Sequence, residues 1–180
     1  MPHIYLKFNP TTMKAKLLKM FVPMALVFTM ISCSKDEAAN ETQLMPSEKI
    51  ITNYNYNEEE LALADLINAY RVSLGKNELQ IVNHISYKSE EHNDYMIVKK
   101  VVNHDYFEAR SNNIIQLLGA VKVGENVAFN FSTPNAVLHA WLASSGHKLN
   151  IEGDYTHFGI SIATDPETGK KYFTNMFMKK

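Results

Sequence analysis

Apolar and polar positions along this chain recur first at helical and then at strand spacing, and each rhythm predicts elements. From Asn57 the sequence runs NEEELALADLINAYRVSLGKNEL, where Leu63, Leu66, Ile67, Tyr70 and Leu74 define one buried helical face. Asn57 is a capping residue, Glu58 to Glu60 suit the positive helix start, and Gly75 suits the stop. That acidic triplet lacks the spacing of a calcium loop and reads as a helix start. A second helix is predicted over Ser86 to about Val101, with Tyr87, Glu91, Tyr95 and Val98 recurring roughly every turn. A shorter helical piece covers Ala109 to Leu118. Val123 to Phe129 alternates like a strand entered through a turn, with Gly124 as the residue of positive φ. Thr133 and Pro134 then start another helix, Thr as cap and Pro where its missing N–H costs nothing. It carries Val137, Leu138 and Trp141 into the core and ends near Ser144 to Gly146. Finally, His157 to Ala163 and Lys171 to Met178 are β-rich runs flanking Asp165-Pro166-Glu167-Thr168-Gly169, a hairpin signal. Helices first and paired strands last make an α+β domain, layered αβα around an antiparallel sheet.

The N-terminal third has a different texture. Lys14, Lys16 and Lys19 precede an apolar stretch from Phe21 to Ile31, broken only by Pro23 and Thr29. That stretch is shorter than the roughly 20 residues a membrane-crossing helix needs, and it suits the apolar core of a signal peptide. Met13 is a plausible true start. The run ends at Met30-Ile31-Ser32-Cys33, which resembles a bacterial lipoprotein box whose cysteine, Cys33, becomes lipidated. Ser34-Lys35-Asp36-Glu37 is similar to the charged tag that moves some lipoproteins to the cell surface. Residues 34–55 are polar and include Pro46, so they read as a tether; about 20 such residues span roughly 25 Å as a flexible coil. Ile50, Ile51, Tyr54 and Tyr56 imply that its last part packs onto the domain. The expected organisation is therefore a signal segment over 1–33, a tether over 34–55 and one domain over 56–180.

Composition narrows the partners. With 180 residues and 46% hydrophobic content, the chain has room for one domain with a self-standing core plus its tail. A formal net charge of −1 offers no basic stripe, so nucleic acid is not an expected partner. The single cysteine permits no intrachain disulfide and no CxxC motif.

Five segments in order carry a family resemblance: Leu66-Ile67-Asn68 through Arg71 to Leu79; His92-Asn93-Asp94-Tyr95-Met96; Asn103-His104; Gly124-Glu125-Asn126; and Trp141 through Ser145-Gly146-His147 to Asn150-Ile151. Phe158-Gly159-Ile160 and Tyr172 to Phe177 follow as a closing hairpin. Together they resemble the CAP (SCP-like) superfamily, in its bacterial, disulfide-free branch. The resemblance implies a three-layer αβα sandwich with a central antiparallel sheet and a cleft holding histidines and acidic partners. Carried over by motif, the candidate residues are His104, Glu125 and His147. The second glutamate of the eukaryotic branch falls at Ser144, so the four-residue set is incomplete.

The chemistry of that set leaves alternatives open. His104 and His147 could hold a divalent ion, zinc or magnesium. Glu125 would then be a ligand, or would accept an imidazole N–H and fix its tautomer. A metal-bound water would make the protein a hydrolase acting on peptide or cell-wall material. The leading expectation is instead a non-enzymatic envelope module whose His/Glu cleft holds an ion or a small or lipid ligand. A third reading is an adhesin whose surface works independently of the cleft. Expected partners are the membrane, through the lipid on Cys33, and an envelope lipid, glycan or protein. The expected location is the outer membrane, on its periplasmic face or at the cell surface. Trp141 and Asn126 read as core and loop-satisfying residues respectively. His92 reads more simply as a helix-surface histidine, and His84, His139 and His157 have no motif support. Ser144 and Ser145 near His147 lack an orienting Asp and do not make a serine hydrolase.

Overall fold

A computed structural model describes residues 49–180. The signal segment, Cys33 and residues 34–48 of the tether lie outside the described residues. The elements are α1 (Glu58–Ser73), β1 (Gln80–Ile81), α2 (Asn83–Lys99), α3 (Phe107–Leu118), β2 (Lys122–Phe129), α4 (Pro134–Ala143), α5 (Ser145–Ile151), β3 (His157–Thr164) and β4 (Lys171–Lys179). The sheet order is β1-β3-β4-β2. β4 pairs antiparallel with both neighbours, while the two-residue β1 joins β3 in parallel, the one departure from the antiparallel sheet expected.

Local chemistry sets the element ends. Asn57 accepts from the Glu60 amide while the Glu60 carboxylate accepts from the Asn57 amide, a reciprocal capping box. Thr133 caps α4 through the Ala136 amide, with Pro134 in the first turn. The hairpin turn is built by Asp165, which accepts from the Glu167 amide and the Thr168 hydroxyl, and Gly169 completes it at φ +69°.

The alternation of the strands sorts the core into two layers. Phe158, Ile160, Ile162, Phe173 and Phe177 face Leu63 and Ile67 of α1, Val137, Leu138 and Trp141 of α4, and Ile151 of α5. On the opposite face Met176 and Met178 meet Ile85 of α2 and Ile114 of α3, and Val127 and Tyr172 meet Met96. The result is an αβα sandwich.

Three local expectations change. The buried side of α2 runs through Ile85, Ser89, His92, Asn93 and Met96, and Val98 is 75% exposed. The reason is that this buried side is polar. Ser86 accepts from the Ile160 amide, Ser89 donates to the Gly159 carbonyl, and Asn93 donates to the Ser161 carbonyl. Gly159 allows that approach, because a Cβ there would run into the α2 backbone at Ile85 and Ser86. At the end of α1, Leu74 is 47% exposed, and Arg71 takes the buried place by donating to the carbonyls of Asn77, Ile151 and Gly153. α4 ends at Ala143, and the chain then enters the seven-residue α5, an element absent from the expected order.

The segment before α1 is seated, as the apolar residues there suggest. The Ile51 amide donates to Nδ1 of buried His84, Tyr54 donates to Glu60, and Tyr56 shares a hydrogen bond with Ser86.

Candidate functional site

Glu125 projects from β2 toward α2 and α3, on the same strand face as Val127. Gly124 and Asn126 point the other way, toward α5. Asn126 donates to the His147 carbonyl, and its own oxygen accepts from Asn150. Gly124 sits inside β2, where the positive φ expected of it is not found. What the site needs there is space: a Cβ would lie 2.5 Å from the Tyr155 hydroxyl and 2.9 Å from Oδ1 of Asn150.

The Glu125 side chain is almost fully buried, and its oxygens are saturated. Arg110 of α3 donates from Nε to Oε2 at 2.9 Å, and from Nη2 to Oε1 at 2.9 Å and Oε2 at 2.7 Å. Its remaining Nη1 donates to the Asp105 carbonyl at 2.7 Å, which ties the α2–α3 loop to the same guanidinium. His104, in that loop, places Nδ1 2.8 Å from Oε1 of Glu125. Burial is the largest influence on Glu125 and would raise its pKa. The His104 hydrogen bond and the Arg110 charge outweigh it, so the carboxyl lies below its ordinary value and is ionised at neutral pH. An ionised carboxylate only accepts, so His104 donates through Nδ1–H and, when neutral, presents a bare Nε2 to solvent. The His104 side chain is 50% exposed.

His92 is the residue that the sequence reading undervalues. It lies buried beneath the site, with Nε2 2.9 Å from the Asn103 carbonyl and 3.8 Å from Oε1 of Glu125. Burial holds it below the ordinary histidine value despite the nearby carboxylate. His147, on α5, is half-buried and is likewise lowered, by burial first and by His104 second. The structure thus gathers His92, His104 and Arg110 directly on Glu125. It brings His147 only near enough to feel the charge of His104.

Two clefts meet at His104 and Phe107. The smaller, about 290 Å³, is lined by His104, Phe107, Val123, Gly124, Glu125 and Asn150. The larger, about 600 Å³, opens over the start of α3.

Of the two parts considered for Glu125, the geometry favours accepting the imidazole N–H of His104 over being a ligand itself. Among the described residues no group of three or more His, Cys, Asp or Glu side chains is arranged to hold a metal ion. Both Glu125 oxygens are committed to Arg110, whose permanent positive charge occupies the position of a counter-ion.

With the fold and the site described, comparison with known proteins decides the family. The model of the cysteine-rich secretory protein (CAP) family matches residues 64–177. The chain belongs to the CAP family. Solved CAP structures share the fold at low identity. An outer surface protein of Borrelia burgdorferi aligns with TM-score 0.62 at 20% identity, covering 72% of this chain and 99% of that one. An extracellular protein of Bacillus anthracis containing an SCP domain gives 0.59 at 23% identity, covering 68% and 40%. A cysteine-rich secretory protein of Staphylococcus aureus gives 0.56 at 18%, covering 71% and 42%. In sequence, the uncharacterized membrane protein YlbC of Bacillus subtilis is 37% identical over 60 residues, which is 33% of this chain and 16% of that protein. The chain therefore spans under a fifth of that relative, and less than half of the two larger solved ones.

Proposed function

We propose that this CAP protein is exported and lipid-anchored through Cys33, and that its domain is a non-enzymatic binding module working at the His104 cleft. The observation that carries the binding reading is the saturation of Glu125. A carboxylate held by a bidentate arginine and a histidine N–H has no free lone pair aimed at a substrate or a water. What it does instead is fix the tautomer and orientation of His104, leaving Nε2 as a positioned acceptor at the junction of two clefts. Glu125, held in the buried ion pair, is therefore itself neither a general base nor a nucleophile. Export is supported by the descriptions of the solved relatives as outer surface, secretory and extracellular proteins. The N-terminal pattern ending at Cys33 supports the anchor.

Two measurements test this. Cells expressing the full chain and its Cys33→Ser variant are labelled with a fatty-acid analogue and fractionated. Label and membrane partition are expected in the first and lost in the second; equal partition overturns the anchor. The purified full chain is then assayed for release of fragments from casein and from peptidoglycan. No release is expected, and hydrolysis that disappears in His104→Ala overturns the non-enzymatic reading.

A further inference from the structure

Tyr106 lies outside the Glu125 network and is displayed at the surface. The residue is 68% exposed, and its backbone holds φ +58°, which bulky L-residues rarely adopt. The ring meets Tyr95 edge-on, with centroids 5.2 Å apart and planes at 90°. Tyr95 in turn stacks on buried His92 at 6.0 Å and donates its hydroxyl to Asp105 at 2.7 Å, an oxygen that Asn103 also holds. An aromatic face is thus fixed at the surface through a chain of contacts that ends on the site itself.

The larger cleft opens beside that face, and its polar rim is biased toward acceptance. His104 offers Nε2, Glu108 a carboxylate, and Asn112 an amide with both roles. An anionic ligand would meet Glu108, and an acyl chain would want an enclosed tunnel where this cleft is open to solvent. A ligand rich in hydroxyl donors with one weakly polar face fits both features: the C–H face of a pyranose on the tyrosine ring, its hydroxyls directed at the rim.

We propose that this cleft binds a neutral glycan, one sugar ring resting on Tyr106 and hydroxyls donating to Nε2 of His104 and to Glu108. The proposal rests on the binding-module reading above and names the ligand class of its cleft. The test is calorimetric titration of the full chain, in a detergent without a sugar headgroup, with maltotetraose, with tetra-N-acetylchitotetraose and with choline. At least one tetrasaccharide is expected to bind, at least tenfold weaker to Tyr106→Ala and His104→Ala and near wild-type strength to Tyr106→Trp. Tyr106→Gly, which suits the positive φ, is expected to keep its melting temperature within a few degrees and still lose binding. Binding that survives in Tyr106→Ala overturns the proposal, as does binding of choline alone. If neither sugar binds while casein and peptidoglycan stay intact, the glycan assignment falls and the binding-module reading stands. Cleavage of a tetrasaccharide that is lost in His104→Ala overturns both.

Discussion

Arg110 grips both carboxylate oxygens of Glu125 in a buried ion pair, with the arginine on α3 and the glutamate on β2, 15 residues apart in the chain. The same guanidinium also anchors the Asp105 carbonyl and so the loop that carries His104. Replacing Arg110 with Met would strand a buried negative charge. The expected cost is about 3–5 kcal/mol, as for other buried pairs deprived of one partner. The double variant Arg110→Met/Glu125→Gln removes both charges and is expected to recover most of that loss. Urea unfolding of the three proteins checks the order; an Arg110→Met as stable as the parent would refute the pairing.

The site also sets the acid response. Glu125 is held below its ordinary value of 4.5, so its contribution to stability is present above about pH 4.5 and lost as pH falls through the depressed folded value. His92 and His147 are held below 6.5, neutral when folded, so unfolded chains bind more protons as pH drops below about 6.5. Both effects have the same sign. Stability is expected to be flat above pH 7, to decline below about pH 6.5, and to decline further below about pH 4.5. A His92→Gln variant should make the first decline shallower, His147 still contributing to it, and leave the second, measured by thermal melts across pH.

Much of this fold is legible in the sequence because its signals are local. The Asn57/Glu60 box, the Thr133-Pro134 start and the Asp165 to Gly169 turn each join a side chain to a backbone group within four residues. His104 and Glu125 stand out through the family resemblance. Arg110 and His92 do not, because a charged or polar residue on a helix reads by default as solvated. A signal existed nonetheless. Arg110 sits between Phe107 and Ile114 at spacings of three and four, inside the apolar stripe of α3, and His92 lies seven residues after Ile85 and four before Met96 on the buried side of α2. The buried face of α2 escapes a hydrophobic count because Ser86, Ser89 and Asn93 are buried by bonding to strand backbone. α5 and β1 escape because seven and two residues are too few for any period to show.

The segment preceding α1 gives a graded prediction. Tyr54 donates to Glu60, a buried carboxylate that also accepts from the amides of Asn57 and Ile162. The Tyr56 hydroxyl shares its hydrogen bond with the neutral Ser86 hydroxyl. A hydrogen bond to a charged group is worth about 1.5–3 kcal/mol and one between neutral groups about 0.5–1.5. Tyr54→Phe is therefore expected to destabilise more than Tyr56→Phe. Chemical denaturation of the two single variants decides it, and equal effects would mean that Glu60 draws little from the preceding segment.

Gly124 is the sharpest test of why a motif residue is what it is. Two explanations for a glycine here differ in what rescues its loss. If a turn demanded positive φ, any side chain would strain the backbone and no distant change would help. Gly124 instead lies within β2, and its missing Cβ leaves room for Tyr155 and Asn150. Gly124→Ala is expected to cost about 1–3 kcal/mol through overpacking against the Tyr155 hydroxyl. Tyr155→Phe removes that nearest atom, so Gly124→Ala should cost clearly less in a Tyr155→Phe background than in the parent. A coupling energy of about 0.5 kcal/mol or more in this double-mutant cycle supports the close approach. Simple additivity would return the glycine to a backbone role, and Asn150, which also holds the Glu125 carbonyl, would lose its place in shaping the smaller cleft.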